Sequence, residues 1–177
     1  MFKKRSFCFF KILKNRTGFT LVELSITLGL LGILTAIAVP SYISWLPRHR
    51  LLTSARQIYD DMQLAKIRAV KDNTAAYITF NTAPNNTYFI FLDDVTQNGI
   101  YNVGETILRN NITLENDVDI TAANTCGFNN RGMLPTGIAP PVQISLTNPT
   151  NILMRIDVTT AGNISISMSK DGGVTWI

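Results

Sequence analysis

Between Leu24 and Leu46 the chain runs for 23 residues without a charged side chain. At ~1.5 Å of rise per helical residue that stretch covers ~34 Å, enough to cross a bilayer core of ~30 Å. It is a transmembrane helix candidate. Six basic residues precede it, Lys3, Lys4, Arg5, Lys11, Lys14 and Arg16, with no acid among them. By the positive-inside rule that end stays in the cytoplasm and the bulk of the chain is exported, a single pass. Tyr42 and Trp45 mark the far end of the span, and Arg48, His49 and Arg50 follow at the depth of lipid phosphates. These are read as interface anchors.

The same six charges account for the basic character of the chain. Its formal net charge is +4 over 177 residues, which invites a nucleic-acid partner until the charges are located. Without residues 1–18 the balance becomes −2, and beyond Asn73 four basic residues face eight acidic ones. The C-terminal part is acidic, and nucleic-acid binding is not expected of it. Cys8 and Cys126 are the two cysteines and His49 is the one histidine. That inventory offers neither a zinc cluster nor a catalytic triad away from the membrane segment, so no enzyme and no resident cofactor are expected.

Glu23 is the anomaly of the N-terminal segment, the one charge between Arg16 and Arg48. An acid in a membrane helix costs ~2.5–3.5 kcal/mol at mid-span and less near an interface. One reading has it reach back to the cytoplasmic surface and do nothing more. In the other it pairs with a cation. Cleavage after Gly18 would supply that cation, the new α-amino group of Phe19, mostly protonated at neutral pH.

Gly18-Phe19-Thr20-Leu21-Val22-Glu23-Leu24, set between a short basic leader and an apolar run, resembles the prepilin signature. The resemblance implies cleavage by a prepilin peptidase after Gly18, N-methylation of Phe19, and Glu23 as the acid that guides assembly. Pro40 resembles the helix-kinking proline of such proteins. It removes a backbone donor, and a kink or local melting near residues 36–40 is expected. Gly29 and Gly32 give only a weak signal for helix packing, and Ala36-Ile37-Ala38 is a competing signal-peptidase pattern whose product would begin at Val39.

After Pro47, apolar residues recur at Leu51, Ala55, Ile58, Met62, Ala65 and Ala69, one face of an amphipathic helix that ends near Asp72-Asn73. Arg56, Asp60, Lys66 and Lys71 fall off that face and read as a solvated side. The remainder reads as short strands over Ala76–Phe80, Tyr88–Leu92, Thr106–Arg109, Val142–Thr147, Leu153–Val158 and Asn163–Met168, separated by turn clusters. The expected fold is α+β, a long N-terminal helix packed against a C-terminal antiparallel, sandwich-like β domain. The chain thus divides into four segments: leader 1–18, transmembrane and filament-core helix 19–46, amphipathic continuation 47–73, and β-rich domain 74–177.

Ala65-Lys66-Ile67-Arg68-Ala69-Val70 and Phe128-Asn129-Asn130-Arg131-Gly132 narrow the resemblance. The latter is similar to an F-x-x-R-G strand-turn motif of the GspH/FimT family, the H-type pseudopilins of type II secretion and related minor type IV pilins. In that reading Phe128, Arg131 and Gly132 are structural. The resemblance implies a minor pseudopilin in a periplasmic secretion filament anchored in the inner membrane. Its partners would be other pilins, the prepilin peptidase and an inner-membrane assembly platform. A minor type IV pilin for pilus assembly or DNA uptake is the alternative, although Gly162-Asn163-Ile164-Ser165 lacks the arginines that a DNA-binding subgroup carries there.

One loop stands apart from this. Asp94-Val95-Thr96-Gln97-Asn98-Gly99, with Glu105, nearly fits the calcium loop of EF-hands, with Thr96 where a carboxylate or amide is expected. Asp94, Thr96, Asn98, the Ile100 backbone and Glu105 are the candidate ligands of a calcium ion. The flanking runs read as strands, so a plain polar hairpin loop is the competing reading.

Overall fold

The computed structural model describes residues 18–177; the six basic residues that precede Gly18, and Cys8, lie outside them. The chain divides into two compact units, Met1–Ser41 and Tyr42–Ile177. Helix α1 runs over Leu21–Lys71. Thr20 caps its start, its Oγ1 accepting from Glu23 N at 3.1 Å. At the other end Asn73 adopts φ 51° and Thr74 N reaches back to Ala69 O at 3.1 Å, a left-handed stop of the kind asparagine tolerates. Pro40 and Pro47 both fall inside the helix. Of the kink or local melting expected near residues 36–40, the melting does not occur: the helix continues through Pro40.

In the second unit the strands form two antiparallel sheets. The first has the order β3-β2-β1-β5, from β1 (Ala75–Asn81), β2 (Thr87–Asp93), β3 (Thr106–Thr113) and β5 (Cys126–Phe128). The second has the order β4-β6-β7-β8, from β4 (Asp119–Ala123), β6 (Val142–Thr147), β7 (Leu153–Val158) and β8 (Ile164–Ser169). In β6 and β7 every second residue is buried, the alternation that half-buried strands require. Two strands escaped the sequence reading. β4 is rich in small residues, and β5 has three residues of which one is Gly127.

Gly127 is there for contact. A Cβ on it would lie 2.5 Å from Cδ1 of Tyr77, whose ring packs over the bare backbone. β3 also runs further than expected, through Asn110 and Asn111. Asn111 has φ 45°, and the pairing with β2 shifts register between Tyr88 and Phe91, so an irregular strand carries the asparagines.

The helix face Leu51, Ala55, Ile58, Met62, Ala65 and Ala69 is buried throughout. It shares one cluster with Ile78, Tyr88, Ile90 and Phe128 of the first sheet and Ile144, Leu146, Ile156 and Val158 of the second. Each large side chain so buried contributes ~1.5–3 kcal/mol. The face is not purely apolar. Ser54 and Asp61, seven residues apart, are buried on it as well. Ser54 Oγ accepts from Glu115 N at 3.3 Å, and Asp61 Oδ2 accepts the Tyr88 hydroxyl at 2.7 Å while Oδ1 lies 3.6 Å from Arg109 Nε. Burial, then the hydrogen bond and charge of Asp61, push the Tyr88 hydroxyl well above its ordinary pKa. It therefore stays a donor, and the helix is tied to β2 and β3 by polar as well as apolar contact.

Candidate functional site

Every residue from Gly18 to Trp45 is exposed in the isolated chain, Phe19 by 82%. Among the described residues α1 is the one helix long and apolar enough to cross a membrane. Three of its hydroxyls bond within the helix: Ser25 Oγ donates to Leu21 O at 2.9 Å, Thr27 Oγ1 to Leu24 O at 2.8 Å, and Thr35 Oγ1 to Leu31 O at 2.9 Å. That leaves Glu23 as the one acidic or basic side chain from Gly18 to Trp45. Thr20-Leu21-Val22-Glu23 has the spacing of a capping box, a signal overlooked in reading the sequence. Thr20 supplies one half of it, and Glu23 stands in the first turn, where the helix dipole favours a negative charge. Further along, the Trp45 ring stacks on His49 with centroids 4.4 Å apart, which accounts for the lone histidine without chemistry.

The Phe128–Gly132 motif is a strand end followed by a tight turn. Phe128 is fully buried opposite Ala76 of β1. Asn129 organises the turn: its Oδ1 accepts from Arg131 N at 2.9 Å and Met133 N at 3.1 Å, and its N donates to Met133 O at 2.8 Å. Gly132 has φ 73°, in the left-handed region. The backbone then passes so close to Gly162 that a Cβ on Gly162 would lie 1.9 Å from Gly132 O. Lys66 closes this knot, its Nζ donating to Gly162 O at 2.8 Å. Lys66 is thus half-buried and engaged, not part of the solvated face expected from its position. The side chain of Arg131, read as structural, is exposed and makes no hydrogen bond or ion pair among the described residues. Asn129 and Gly132 hold the turn instead.

The loop between β2 and β3 brings four of its five candidate ligands into one hydrogen-bonded network. Thr96 Oγ1, Asn98 Oδ1 and Ile100 O lie 2.7, 3.1 and 2.6 Å from Nδ2 of Asn102, a residue the sequence reading did not single out. Glu105 accepts from the Thr96 hydroxyl and from Asn102 N, both at 2.8 Å. Burial opposes ionisation of Glu105, but these hydrogen bonds outweigh it and hold the carboxyl below its ordinary value. Asp94 does not join them. It accepts from Thr106 Oγ1 at 2.8 Å and Thr106 N at 3.3 Å, clasping the start of β3. The flanks are strands, as the hairpin reading had it. Among the described residues no three Asp, Glu, His or Cys side chains gather in the manner of a metal centre.

Cys126 is buried, and burial pushes its thiol up to about 12, which leaves it inert. Arg109 faces Asp61, Arg155 faces Asp157 at 2.9 Å and lies over the Trp176 ring, and Arg50 faces Asp117, so these bases are spent on neighbours rather than grouped for phosphate. An apolar groove of about 380 Å³ between the helix and the second sheet is lined by Leu51, Leu52, Met154, Ile166 and Met168, with Arg48 and Arg56 at its edge. It gathers no nucleophile, base and orienting group.

Comparison with known proteins agrees with this arrangement. The prokaryotic N-terminal methylation motif matches residues 13–39, and the type II transport protein GspH matches residues 54–162. No curated protein sequence matches the chain. Among solved structures, the type IV minor pilin FimU of Pseudomonas aeruginosa PAO1 is similar, with a TM-score of 0.50 at 17% identity over 67% of this chain and 89% of that one. A second crystal form of FimU gives 0.49 at 17% identity, over 66% and 91%. At that identity the likeness is one of fold, a long apolar N-terminal helix with antiparallel sheets. The GspH match, by contrast, takes in well over half of the chain, from the buried helix face to the Gly132–Gly162 contact, and the protein belongs to the GspH family of pilin-like proteins.

Proposed function

We propose that the protein is a minor pseudopilin, made as a prepilin, cleaved after Gly18, N-methylated at Phe19, and built into a short periplasmic filament that serves protein secretion. The observation that carries this is the apolar surface from Phe19 to Trp45, interrupted by a single acid, Glu23. Such a surface needs lipid before assembly and neighbouring helices after it. In the filament core, where the dielectric is low, Glu23 of one subunit would meet the Phe19 amine of the next, and an unpaired carboxylate there would be costly. The pair would set the stagger between subunits. Catalysis has no part in this role.

A single-pass inner-membrane placement, with the domain in the periplasm, is part of this proposal, and the basic N-terminal residues and the apolar helix support it. The prepilin peptidase and an assembly platform are the partners that such processing requires. A minor pilin of a type IV pilus is the second reading, supported by the fold shared with FimU, a type IV minor pilin. Deleting the gene separates the two: stalled export of secreted proteins supports the pseudopilin, and loss of surface pili with export intact supports the pilin.

Glu23→Gln tests the mechanism. The variant should be cleaved and should remain in the membrane, yet its recovery with sheared or affinity-purified filaments should fall at least about tenfold, a loss of ~1.4 kcal/mol or more. Undiminished recovery would exclude Glu23 as the assembly acid.

A further inference from the structure

The loop between β2 and β3 contains a buried polar atom that filament assembly does not explain. Asp93, the last residue of β2, is 1% exposed. Its Oδ2 accepts from Gly99 N at 2.6 Å, but Oδ1 is buried with no hydrogen-bond partner. Such an orphan is expensive, and buried polar groups are almost always satisfied. Glu105, itself only 5% exposed, lies in the same loop, and Asp93 is among the groups that act on its carboxyl. Two carboxylates brought together away from water need a cation or a proton between them.

The rest of the loop favours the cation. Thr96 Oγ1, Asn98 Oδ1 and Ile100 O all converge on the Asn102 side-chain amide. That amide has two hydrogens for three acceptors. Turning it over exchanges nitrogen for oxygen, a choice that hydrogen bonding alone decides. A fourth oxygen in that place is tolerable only around a positive charge. We propose that this loop binds one calcium ion, with Asp93 and Glu105 as its anionic ligands and Thr96, Asn98, Ile100 and Asn102 supplying neutral oxygens.

The donor set selects the ion. It is all oxygen, without the imidazole or thiolate that transition metals prefer. Its mixture of carboxylate, amide, hydroxyl and backbone oxygens suits the flexible shell of calcium better than the strict octahedron of magnesium. Two carboxylates are a modest charge, which places the site in the weak class of extracellular modules, with Kd ~10⁻⁴–10⁻³ M. Asp93 takes the place that the EF-hand pattern would assign to Asp94, because Asp94 is committed to Thr106.

The test is calcium chloride titrated into the full-length protein in detergent, after chelation, followed by calorimetry and by Tm. One saturable site and a rising Tm are expected, with magnesium chloride giving at least about tenfold weaker binding. Asp93→Asn and Glu105→Gln should each weaken binding about tenfold or more. Asn102→Asp adds a carboxylate where the amide now stands and should tighten it about tenfold, a gain that misfolding cannot imitate. The proposal is overturned by a wild-type protein indifferent to ~10 mM calcium, by an equal response to magnesium, by binding undiminished in both carboxylate variants, or by weaker binding in Asn102→Asp. A Tm that rises on mild acidification and not with calcium would assign a shared proton to the pair and overturn it as well.

Discussion

Burial predicts very different roles for two charged residues. Asp61 sits on the buried face of α1 and holds the Tyr88 hydroxyl, whereas Arg131, though part of a recognisable motif, points into solvent. Asp61→Ala should therefore destabilise the domain by about 2–3 kcal/mol, since it strands a buried hydroxyl and frees Arg109. Arg131→Ala should stay within about 0.5 kcal/mol. Urea denaturation of the two variants checks both, and a larger loss for Arg131 would contradict the assignment. Asp61 could not be read from the sequence, because an acid seven residues from a buried serine looks like any surface acid until Tyr88 arrives from β2. Asn102 was equally hidden: its amide becomes central only once the loop folds three oxygens onto it. Glu23 was legible, since a lone charge in a long apolar run needs no fold to stand out.

Among the elements, regular periodicity was legible and irregular contact was not. The spacing of Leu51 through Ala69 gave the buried face of α1, and the alternation of Val142–Thr147 and Leu153–Val158 gave β6 and β7 with their bounds. β5 carries no such period, because its central residue is a glycine chosen for the Tyr77 ring. The turn at Gly162 depends likewise on closeness: φ is 75° and Gly132 O fills the space where a side chain would go. Gly162→Ala should cost about 3 kcal/mol or more, from strain and clash together, visible as a lower midpoint in thermal unfolding. A variant as stable as wild type would show that this backbone contact is dispensable. After β8, Asp171 ties down the C-terminal hook. It accepts from the hydroxyls of Ser169 and Thr175 and from Thr175 N, and these bonds hold its carboxyl well below the ordinary range. A depressed pKa means that its contribution is present above the unfolded value of ~3.9 and is lost as pH falls below it. Amide exchange at Thr175 should accelerate as pH drops from about 5 towards 2, after correction for intrinsic rates, and Asp171→Asn should abolish that dependence. Unchanged protection in wild type would refute it.

For the whole molecule, the distribution of charge decides more than its total. The net +4 comes from residues 1–18, which carry six basic and no acidic side chains, and beyond them the chain is an apolar helix and an acidic domain. Charge, hydropathy and the prepilin motif made the apolar N-terminal helix and the general plan of the domain readable, and membership of the GspH family agrees with that plan. Which oxygens converge in the β2–β3 loop, and which backbones touch at Gly132 and Gly162, were not readable, because both depend on how the folded backbone brings separate residues together. The central claim is that this helix becomes a filament core once the leader is gone. Mass spectrometry of the protein recovered from its native membrane tests it most directly. A chain beginning at Phe19 and carrying one N-terminal methyl group is the predicted result; a chain beginning at Val39, or one still carrying the leader from Met1, would contradict it.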